Sequence, residues 1–318
     1  MLTGEIINGY IIQQDFVVAG GMSKISFAKK EGKEYFIKEF LSPKYPLEGS
    51  PGSEKLKEQK RKACEDFEKH HKELNNKIGT RVSIGGNLIF AVDFFRWGSC
   101  YYKVTEKIDT CSISCEDISR LPIEKILIVA KSVCHSIRIL HELNIVHGDL
   151  KPDNILIKKT TTGYSGKLID FDDSYFDGKP PIERDELVGT PEYYSPEQAA
   201  YIMDEEKEID GKTLTVKSDI FTLGIIFCEY FTGKKPKLTN DYKTTWNCIK
   251  NGKSFNLAKP IPHSVAVLIG KMLQKKAKDR PTINEVFDKL KVINPKEEMT
   301  ADTRPKLRGK IISKTFGE

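Results

Sequence analysis

Residues 147–154 read His147-Gly148-Asp149-Leu150-Lys151-Pro152-Asp153-Asn154, and Asp170-Phe171-Asp172 begins sixteen residues after Asn154. This order supplies a carboxylate, an ammonium group, an amide and a second carboxylate. Phosphoryl transfer needs such groups, because the attacking hydroxyl must be oriented, the phosphate charge neutralised and Mg²⁺ given oxygen ligands. A single Asp or Asn in a loop is usually a turn former. The whole ordered run instead indicates phosphoryl-transfer chemistry.

The order also resembles the signature of eukaryotic-like (Hanks-type) serine/threonine protein kinases, from about Gly9 to Val292. The resemblance implies an α+β, bilobal protein-kinase fold. Its small antiparallel-sheet N-lobe with one regulatory helix would cover residues 1–106, and its larger, mainly helical C-lobe residues 107–293. Residues 294–318 would form a basic C-terminal tail.

The same resemblance assigns roles within the quoted run. Asp149 would accept or orient the proton of the substrate hydroxyl, and Lys151 would face the γ-phosphate of ATP. Asn154 and Asp170 would be the two metal ligands, for Mg²⁺ or alternatively Mn²⁺. Leu156 would pack beneath the adenine ring. The lysine at position 151 favours Ser/Thr over Tyr as the phosphorylated residue.

A glycine pair falls where the family's Gly-rich loop is expected, and its Gly-Gly-Met-Ser form is similar to that of bacterial kinases. The nucleotide-binding residues there would be Val18, Gly20, Gly21 and Ile25. Glycine lets backbone N–H groups approach phosphates closely. A glycine pair alone is usually a turn, and Val18 stands where the first glycine of the family pattern is expected.

Two further segments are expected to bind the nucleotide. Lys38, at the end of an alternating strand, would contact the α- and β-phosphates. Phe36 stands where the family usually has alanine, so it should narrow the adenine pocket. Thr105, Glu106 and Ile108 match the hinge between the lobes, whose backbone would bind adenine.

Residues 54–78 are predicted to form a long charged helix. Its apolar stripe has helical spacing and comprises Cys64, Phe67, His71, Leu74 and Ile78. The helix matches the family's regulatory helix, whose glutamate pairs with the nucleotide-binding lysine. Glu68 borders the stripe and is the assigned partner of Lys38. Glu65 is the other candidate, and spacing back from Leu74 would point to His70.

The second half of the chain extends the resemblance. Residues 123–142 are predicted to form a core helix, and residues 189–197 match the end of a kinase activation segment. Glu197 is expected to pair with Arg280, and Asp219 to accept hydrogen bonds from the catalytic-loop backbone. Residues 201–216 resemble an insertion, interpreted as a solvated loop or, as a weaker alternative, a substrate-docking segment.

Two departures from the family pattern carry predictions. Gly148 replaces an arginine that normally binds an activation-loop phosphate, and residues 176–188 contain no Ser, Thr or Tyr. Activity is therefore expected not to require phosphorylation of this segment. Asp172 replaces a glycine that would ease backbone rearrangement, so the segment that follows Asp170 is expected to stay in an active-like conformation.

Composition sets the remaining expectations. The 318-residue chain has 30% charged residues, as is ordinary for a soluble globular protein, and its net charge of +6 indicates a solvated surface first and an acidic partner second. Its seven scattered cysteines favour a cytoplasmic protein with reduced thiols. A zinc site at Cys111 and Cys115 is disfavoured because no second pair lies nearby. No long apolar run or signal-peptide pattern is present. The expected partner is a protein substrate, with no nucleic acid and no membrane, and the resemblance also allows autophosphorylation.

Two alternatives to an active protein kinase stay open. The imperfect Gly-rich loop and Phe36 would also fit a pseudokinase that binds nucleotide or serves as a scaffold. The His-Gly-Asp sequence also occurs in small-molecule phosphotransferases of related fold. The presence of all four polar residues, Lys38, Asp149, Asn154 and Asp170, argues against the first alternative. The activation-segment ending argues against the second.

Overall fold

The computed structural model describes most of the chain, namely residues 3–19, 23–81, 86–108, 112–161, 163–181, 184, 187, 189–204, 206, 208–239 and 242–303. A sheet with one long helix occupies the N-terminal third. A mainly helical unit follows, so the predicted α+β class and two-lobed architecture are confirmed. The lobe boundaries drawn from the sequence stay predictions.

The N-terminal sheet is antiparallel and has the strand order β1-β2-β4-β5-β7-β6, with β3 paired to β4. Its strands are β1 (Ile6–Ile7), β2 (Tyr10–Ile12), β3 (Val17–Ala19), β4 (Ser23–Lys30), β5 (Lys33–Phe40), β6 (Asp93–Trp97) and β7 (Cys100–Glu106). Side chains alternate between the two faces of a strand. Ile37 is therefore fully buried on one face, while its neighbour Lys38 projects from the other. Pairing between β6 and β7 begins at Asp93.

Helix α1 (Glu54–Gly79) confirms the predicted helix at 54–78. The side chain of Ser53 caps its first turn by accepting a hydrogen bond from the Leu56 amide. Near its middle the helix packs on the sheet through Cys64, and near its end it joins the main core through Leu74 and Ile78. It therefore contacts both lobes.

The C-terminal unit is built around one almost completely buried helix, α5. Its helices are α2 (Cys115–Ser119), α3 (Ile123–Glu142), α4 (Pro196–Ile202), α5 (Lys217–Thr232), α6 (Thr245–Lys250), α7 (His263–Met272) and α8 (Ile283–Lys291). Short antiparallel pairs join β8 (Ile145–Val146) to β11 (Tyr175–Phe176), β9 (Ile155–Thr160) to β10 (Gly163–Leu168), β12 (Lys237–Leu238) to β13 (Phe255–Asn256) and β14 (Ile261–Pro262) to β15 (Met299–Thr300). Helix α3 confirms the core helix predicted at 123–142, and Glu197 forms its predicted ion pair with Arg280.

Residues 201–216 are not a merely solvated loop, so that prediction was wrong. Tyr201 and Leu214 are buried together with Val146, Tyr175 and Leu187 in a small apolar cluster. Leu187 belongs to the activation segment. The segment 201–216 therefore packs against the activation segment, because its apolar side chains leave water there.

The described part of the predicted tail, residues 294–303, packs on the C-terminal unit. Met299–Thr300 pairs with β14, and the amide of Leu257 donates to the Ala301 carbonyl at 3.1 Å. The rest of the tail lies outside the described residues. Within the described ranges, no helix is both long and apolar enough to cross a membrane.

Candidate active site

Residues 147–154, which match the family's catalytic loop, follow strand β8, and three side chains fix the carboxylate of Asp149. Lys151 donates from Nζ to Oδ2 at 2.6 Å, and Thr190 donates from Oγ1 to Oδ1 at 3.0 Å. Asn154 donates from Nδ2 to the Asp149 carbonyl at 2.7 Å and to Oδ2 at 3.3 Å. Asp149 is 9% exposed, so its carboxylate is held in one orientation at the edge of solvent.

Helix α5 supports this loop through Asp219. One oxygen, Oδ2, accepts the backbone amide of His147 at 2.9 Å and lies 3.0 Å from Nε2 of His141. Asp219 therefore has the contact with the catalytic-loop backbone that was predicted. From the activation-segment side, Gln198 donates from Nε2 to the carbonyl of Gly148 at 2.8 Å. The loop is thus held by two helices.

The backbone conformation of Gly148 explains why this position does not carry the arginine of the family pattern. Its φ is +84°, and a Cβ added there would lie 2.1 Å from the carbonyl oxygen of Asp173. Both observations exclude any side chain at this position. The backbone path after Phe171 is therefore incompatible with an arginine before Asp149.

Four charged side chains form a cluster beneath the sheet. Nζ of Lys38 lies 2.5 Å from Oδ2 of Asp172 and 3.2 Å from Oδ1 of Asp170. Lys103 on β7 contacts the same two carboxylates. Asp170 remains 38% exposed at its side chain, whereas Asp172 is only 11% exposed. We call Lys38, Lys103, Asp170 and Asp172 the charge cluster.

Burial and charge oppose each other within the charge cluster. Burial alone would lower the pKa of Lys38, but the carboxylates of Asp172 and Asp170 outweigh it and raise this pKa above its ordinary value. Burial alone would raise the pKa of Asp172, but Lys103 and Lys38 outweigh it and lower this pKa below its ordinary value. Both groups therefore stay ionised, each stabilised by its partners.

The next residue, Asp173, has the opposite electrostatic environment. Burial, followed by the negative charges of Asp172, Asp149 and Asp170, raises the pKa of Asp173 to about 7. Carboxylates close together disfavour each other's ionised form. The raised pKa of Asp173 therefore reflects its burial beside three other carboxylates.

Helix α1 does not supply the predicted glutamate. Glu68 lies 2.5 Å from Nζ of Lys72 and accepts a 3.4 Å hydrogen bond from Tyr101, so its assignment as the partner of Lys38 is corrected. The helix face towards the charge cluster carries His71 instead, which lines a cavity of about 30 Å³ together with Lys103 and Asp172. Helix α1 presents Glu68 to Tyr101 of β7 and to its own next turn.

The remaining predicted nucleotide contacts lie on the strands expected to carry them. Ile25 on β4 is directly opposite Lys38 on β5, whereas Val18 on β3 is largely exposed. Thr105 and Glu106 end β7, with Thr105 opposite Phe36. Two other predicted nucleotide contacts are Ile108, which follows β7 and is partly buried, and Leu156, which is buried on β9. Gly20 and Gly21 lie outside the described residues.

The two predicted metal ligands come from adjacent segments. The carbonyl of Asn154 accepts the amide of Ile169 at 3.1 Å, which places Asn154 next to Asp170 along the backbone. The Asn154 side chain donates inward to Asp149, so its Oδ1 is the oxygen left for a cation. Within the described ranges, no three His, Cys, Asp or Glu residues are arranged as a metal site. Mg²⁺ commonly completes such a site with substrate phosphate oxygens and water, which fits these two ligands.

Sequence reasoning missed three contributors to the site. Thr190 was matched only as part of the activation segment. His70, the position to which spacing back from Leu74 pointed, lies 2.9 Å through Nε2 from the Ser174 carbonyl. Lys103 was not singled out at all. A lysine within the otherwise buried run Tyr101–Val104 was a signal, because a buried lysine requires a partner.

The sequence matches known proteins over most of its length. A family model described as a protein kinase domain matches residues 54–290. A curated relative, the serine/threonine-protein kinases PknA of Corynebacterium glutamicum, is 36% identical over 118 residues, which is 37% of this chain and 22% of that protein. The ovarian-specific serine/threonine-protein kinase Lok of Drosophila melanogaster is 30% identical over 208 residues, which is 63% of this chain and 39% of that protein. The matched part of the chain thus spans well under half of either relative.

Proposed function

This chain belongs to the protein kinase family, and on that basis we propose that it transfers the γ-phosphoryl group of ATP to serine or threonine hydroxyls of protein substrates. The observation that carries the proposal is the fixed carboxylate of Asp149, held by Lys151, Thr190 and Asn154. The relatives PknA and Lok are both serine/threonine-protein kinases, which supports the choice of hydroxyl.

The reaction needs a positioned hydroxyl more than a strong base. In the proposal, the substrate hydroxyl donates its hydrogen bond to Asp149, which points its oxygen at the γ-phosphorus. Lys151 lies between Asp149 and Thr190 and is 25% exposed at its side chain. Its ammonium group would turn from Asp149 towards the γ-phosphate and neutralise the charge that moves in the transition state.

Protein kinases use ATP with a divalent cation, and we assign Mg²⁺ to Asn154 and Asp170, with Mn²⁺ as a substitute. The bound cation neutralises phosphate charge. The chain itself orients Asn154, whose side-chain amide donates a hydrogen bond to the Asp149 carbonyl. The second ligand, Asp170, contacts Lys38 in this structure. Lys38 is the assigned contact of the α- and β-phosphates, and the hinge at Thr105 and Glu106 is the assigned contact of adenine.

A labelled-ATP assay with Mg²⁺ tests the proposal against the alternatives. The purified chain is incubated alone, with a generic basic protein and with an aminoglycoside panel, and Asp149→Asn is the matched control. We expect label on protein, recovered as phosphoserine or phosphothreonine, and transfer slower by about 10²-fold or more with Asp149→Asn. Nucleotide binding without transfer would instead identify a pseudokinase. Transfer only to an aminoglycoside would identify a small-molecule phosphotransferase.

A further inference from the structure

We propose that Asp172 is the positioning residue that holds Lys38 for phosphate binding, in the place that a glutamate on helix α1 would otherwise take. The inference rests on the proposed function, since it assigns Lys38 to the phosphates of ATP. It assigns the positioning of the Lys38 side chain to the segment after Asp170 and not to helix α1.

The pairing of β5 with β7 brings two lysines together and so requires a negative charge between them. Lys38 and Lys103 are directly opposite each other in the register of these strands. Like charges at such a position destabilise a sheet. Both side chains are mostly buried, at 15% and 11% exposure, so water screens them poorly. A carboxylate between the two ammonium groups is needed to hold them together.

Asp172 meets this requirement from the C-terminal unit. Its Oδ2 contacts Nζ of Lys38 at 2.5 Å, and its Oδ1 accepts a hydrogen bond from Lys103. One carboxylate thus bridges two ammonium groups, and each oxygen has its own lysine. With Asp170 included, the charge cluster has two positive and two negative groups and is neutral.

Asp172 is also the carboxylate that stays with Lys38 when Asp170 is occupied. Asp170 is the more exposed of the two and is the proposed metal ligand. A cation on Asp170 would withdraw that carboxylate from Lys38. Asp172 has only 11% of its side chain exposed and faces Lys103 and Lys38, so it remains the counter-charge that keeps the Lys38 ammonium group in place.

Helix α1 offers no competing charge. Burial, followed by the positive charges of Lys103, His70 and Lys38, lowers the pKa of His71 well below its ordinary value, so the ring facing the charge cluster is neutral. That ring stacks on Phe94, with 5.0 Å between centroids. Glu68 is engaged by Lys72 and Tyr101. The helix therefore contributes packing, and the charge comes from Asp172.

Equilibrium binding of ADP and of adenosine, without transfer, tests the proposal on Asp172→Asn and Glu68→Gln. We expect Asp172→Asn to weaken ADP binding by about tenfold or more, because it removes the counter-charge of a buried ammonium group, and to leave adenosine binding unchanged. Glu68→Gln should bind both ligands as the wild type does. The difference between the two ligands isolates the phosphate contact from general damage to the site.

The opposite pattern would overturn the proposal. The proposal fails if Asp172→Asn binds ADP with the wild-type affinity. It also fails if Glu68→Gln weakens ADP binding by about tenfold, the loss expected of Asp172→Asn. Asp172→Glu, which keeps the charge, should retain ADP binding. If Asp172→Asn does not fold, as a thermal melt would show, Glu68→Gln and Asp172→Glu still decide the question.

The result is also separable from the proposed function. A wild-type chain that binds ADP through Lys38 and Asp172 but transfers no phosphate would support the inference and contradict the kinase activity. If the wild-type chain transfers phosphate and Asp172→Asn binds ADP with normal affinity, the kinase activity is supported and the inference about Asp172 is contradicted. A wild-type chain that binds no ADP would overturn both.

Discussion

Arg280 and Glu197 form a bidentate ion pair, with Nη1 2.6 Å from Oε1 and Nη2 2.7 Å from Oε2. The Arg280 side chain is fully buried, and its remaining N–H groups donate to the carbonyls of Gln274, Lys217 and Lys275. The pair ties the end of the activation segment to the last third of the chain. It joins segments that are far apart in sequence.

Breaking this pair should destabilise the whole protein. Glu197→Gln leaves a buried guanidinium without its counter-charge, so we expect unfolding free energy to fall by roughly 3–5 kcal/mol. Urea or thermal unfolding followed by circular dichroism measures the change. Glu58→Gln is the matched control, because its exposed pair with Arg61 should contribute little. Equal losses in the two variants would show that the buried pair has no special role.

A second prediction concerns the activation segment. Arg184 lies 3.3 Å from Asp204, donates to the Ile209 carbonyl at 3.0 Å and stacks 3.4 Å over the Tyr201 ring. These contacts hold Arg184 without a phosphate, which supports the proposal that activity does not require phosphorylation of the activation segment. Phosphatase treatment should therefore leave the transfer rate unchanged.

Arg184→Ala should lower kcat/KM for a protein substrate by about tenfold, because a misplaced substrate-binding segment costs orientation. Limited proteolysis should cleave the variant near residue 184 faster than the wild type. Asp210→Ala, which removes an exposed contact with Lys212, is the control. Loss of wild-type activity on dephosphorylation, restored with phosphate on the segment, would refute the prediction.

The stability of the apo protein should depend on His71 in mildly acidic solution. The folded-state pKa of His71 lies well below 6.5, whereas an unfolded histidine titrates near 6.5. As pH falls below about 6.5, the unfolded chain gains a proton that the folded chain does not. Stability is therefore fully present above that value and declines as pH falls towards the folded pKa.

Comparison with His71→Phe isolates this contribution. Asp173 acts in the opposite direction, because its raised pKa makes the folded state lose stability as pH rises towards about 7. The Asp173 contribution is common to both proteins and cancels in the difference. We expect the unfolding free energy of the wild type to fall more than that of His71→Phe when the pH is lowered from 7 to 5. A difference independent of pH would contradict a neutral His71.

The adenine pocket provides a fourth prediction. Phe36 is half-buried opposite Thr105 and meets Phe27 edge-on, with 6.1 Å between ring centroids. Shortening this side chain should widen the proposed pocket, so the series Phe36→Leu and Phe36→Ala should bind N6-substituted ATP progressively better than the wild type. Calorimetry with ATP and the substituted nucleotide measures this. Equal discrimination across the series would place Phe36 outside the pocket.

Sequence patterns predicted much of this architecture, either through local periodicity or through motifs shared with the family. The period of Cys64, His71 and Leu74 identified helix α1, and the family motifs located Asp219 and the Glu197–Arg280 pair. The motif residues Asp149, Lys151 and Asn154 lie within six positions of each other, so one loop brings them together. Such short-range relations depend little on how distant elements pack.

The errors arose where packing between distant elements decides the outcome. Glu68 and His71 are three residues apart, about 60° around the helix, and the apolar stripe could not tell which of them turns towards Lys38. The partnership of Asp172 with Lys38 and Lys103 depends on how the sheet meets the C-terminal unit. The insertion at 201–216 looked solvated because its charged residues outnumber Tyr201 and Leu214, the side chains that are buried.

The rate of phosphoryl transfer by Asp149→Asn, measured beside its affinity for Mg²⁺-ADP, tests the central claim most directly. Asn is close in size to Asp but cannot act as a proton acceptor, so binding should survive while chemistry fails. We predict a fall in kcat of about 10²-fold or more, with ADP affinity within about twofold of the wild type. A variant that transfers phosphate at the wild-type rate would contradict the assignment of Asp149 and with it the proposed mechanism.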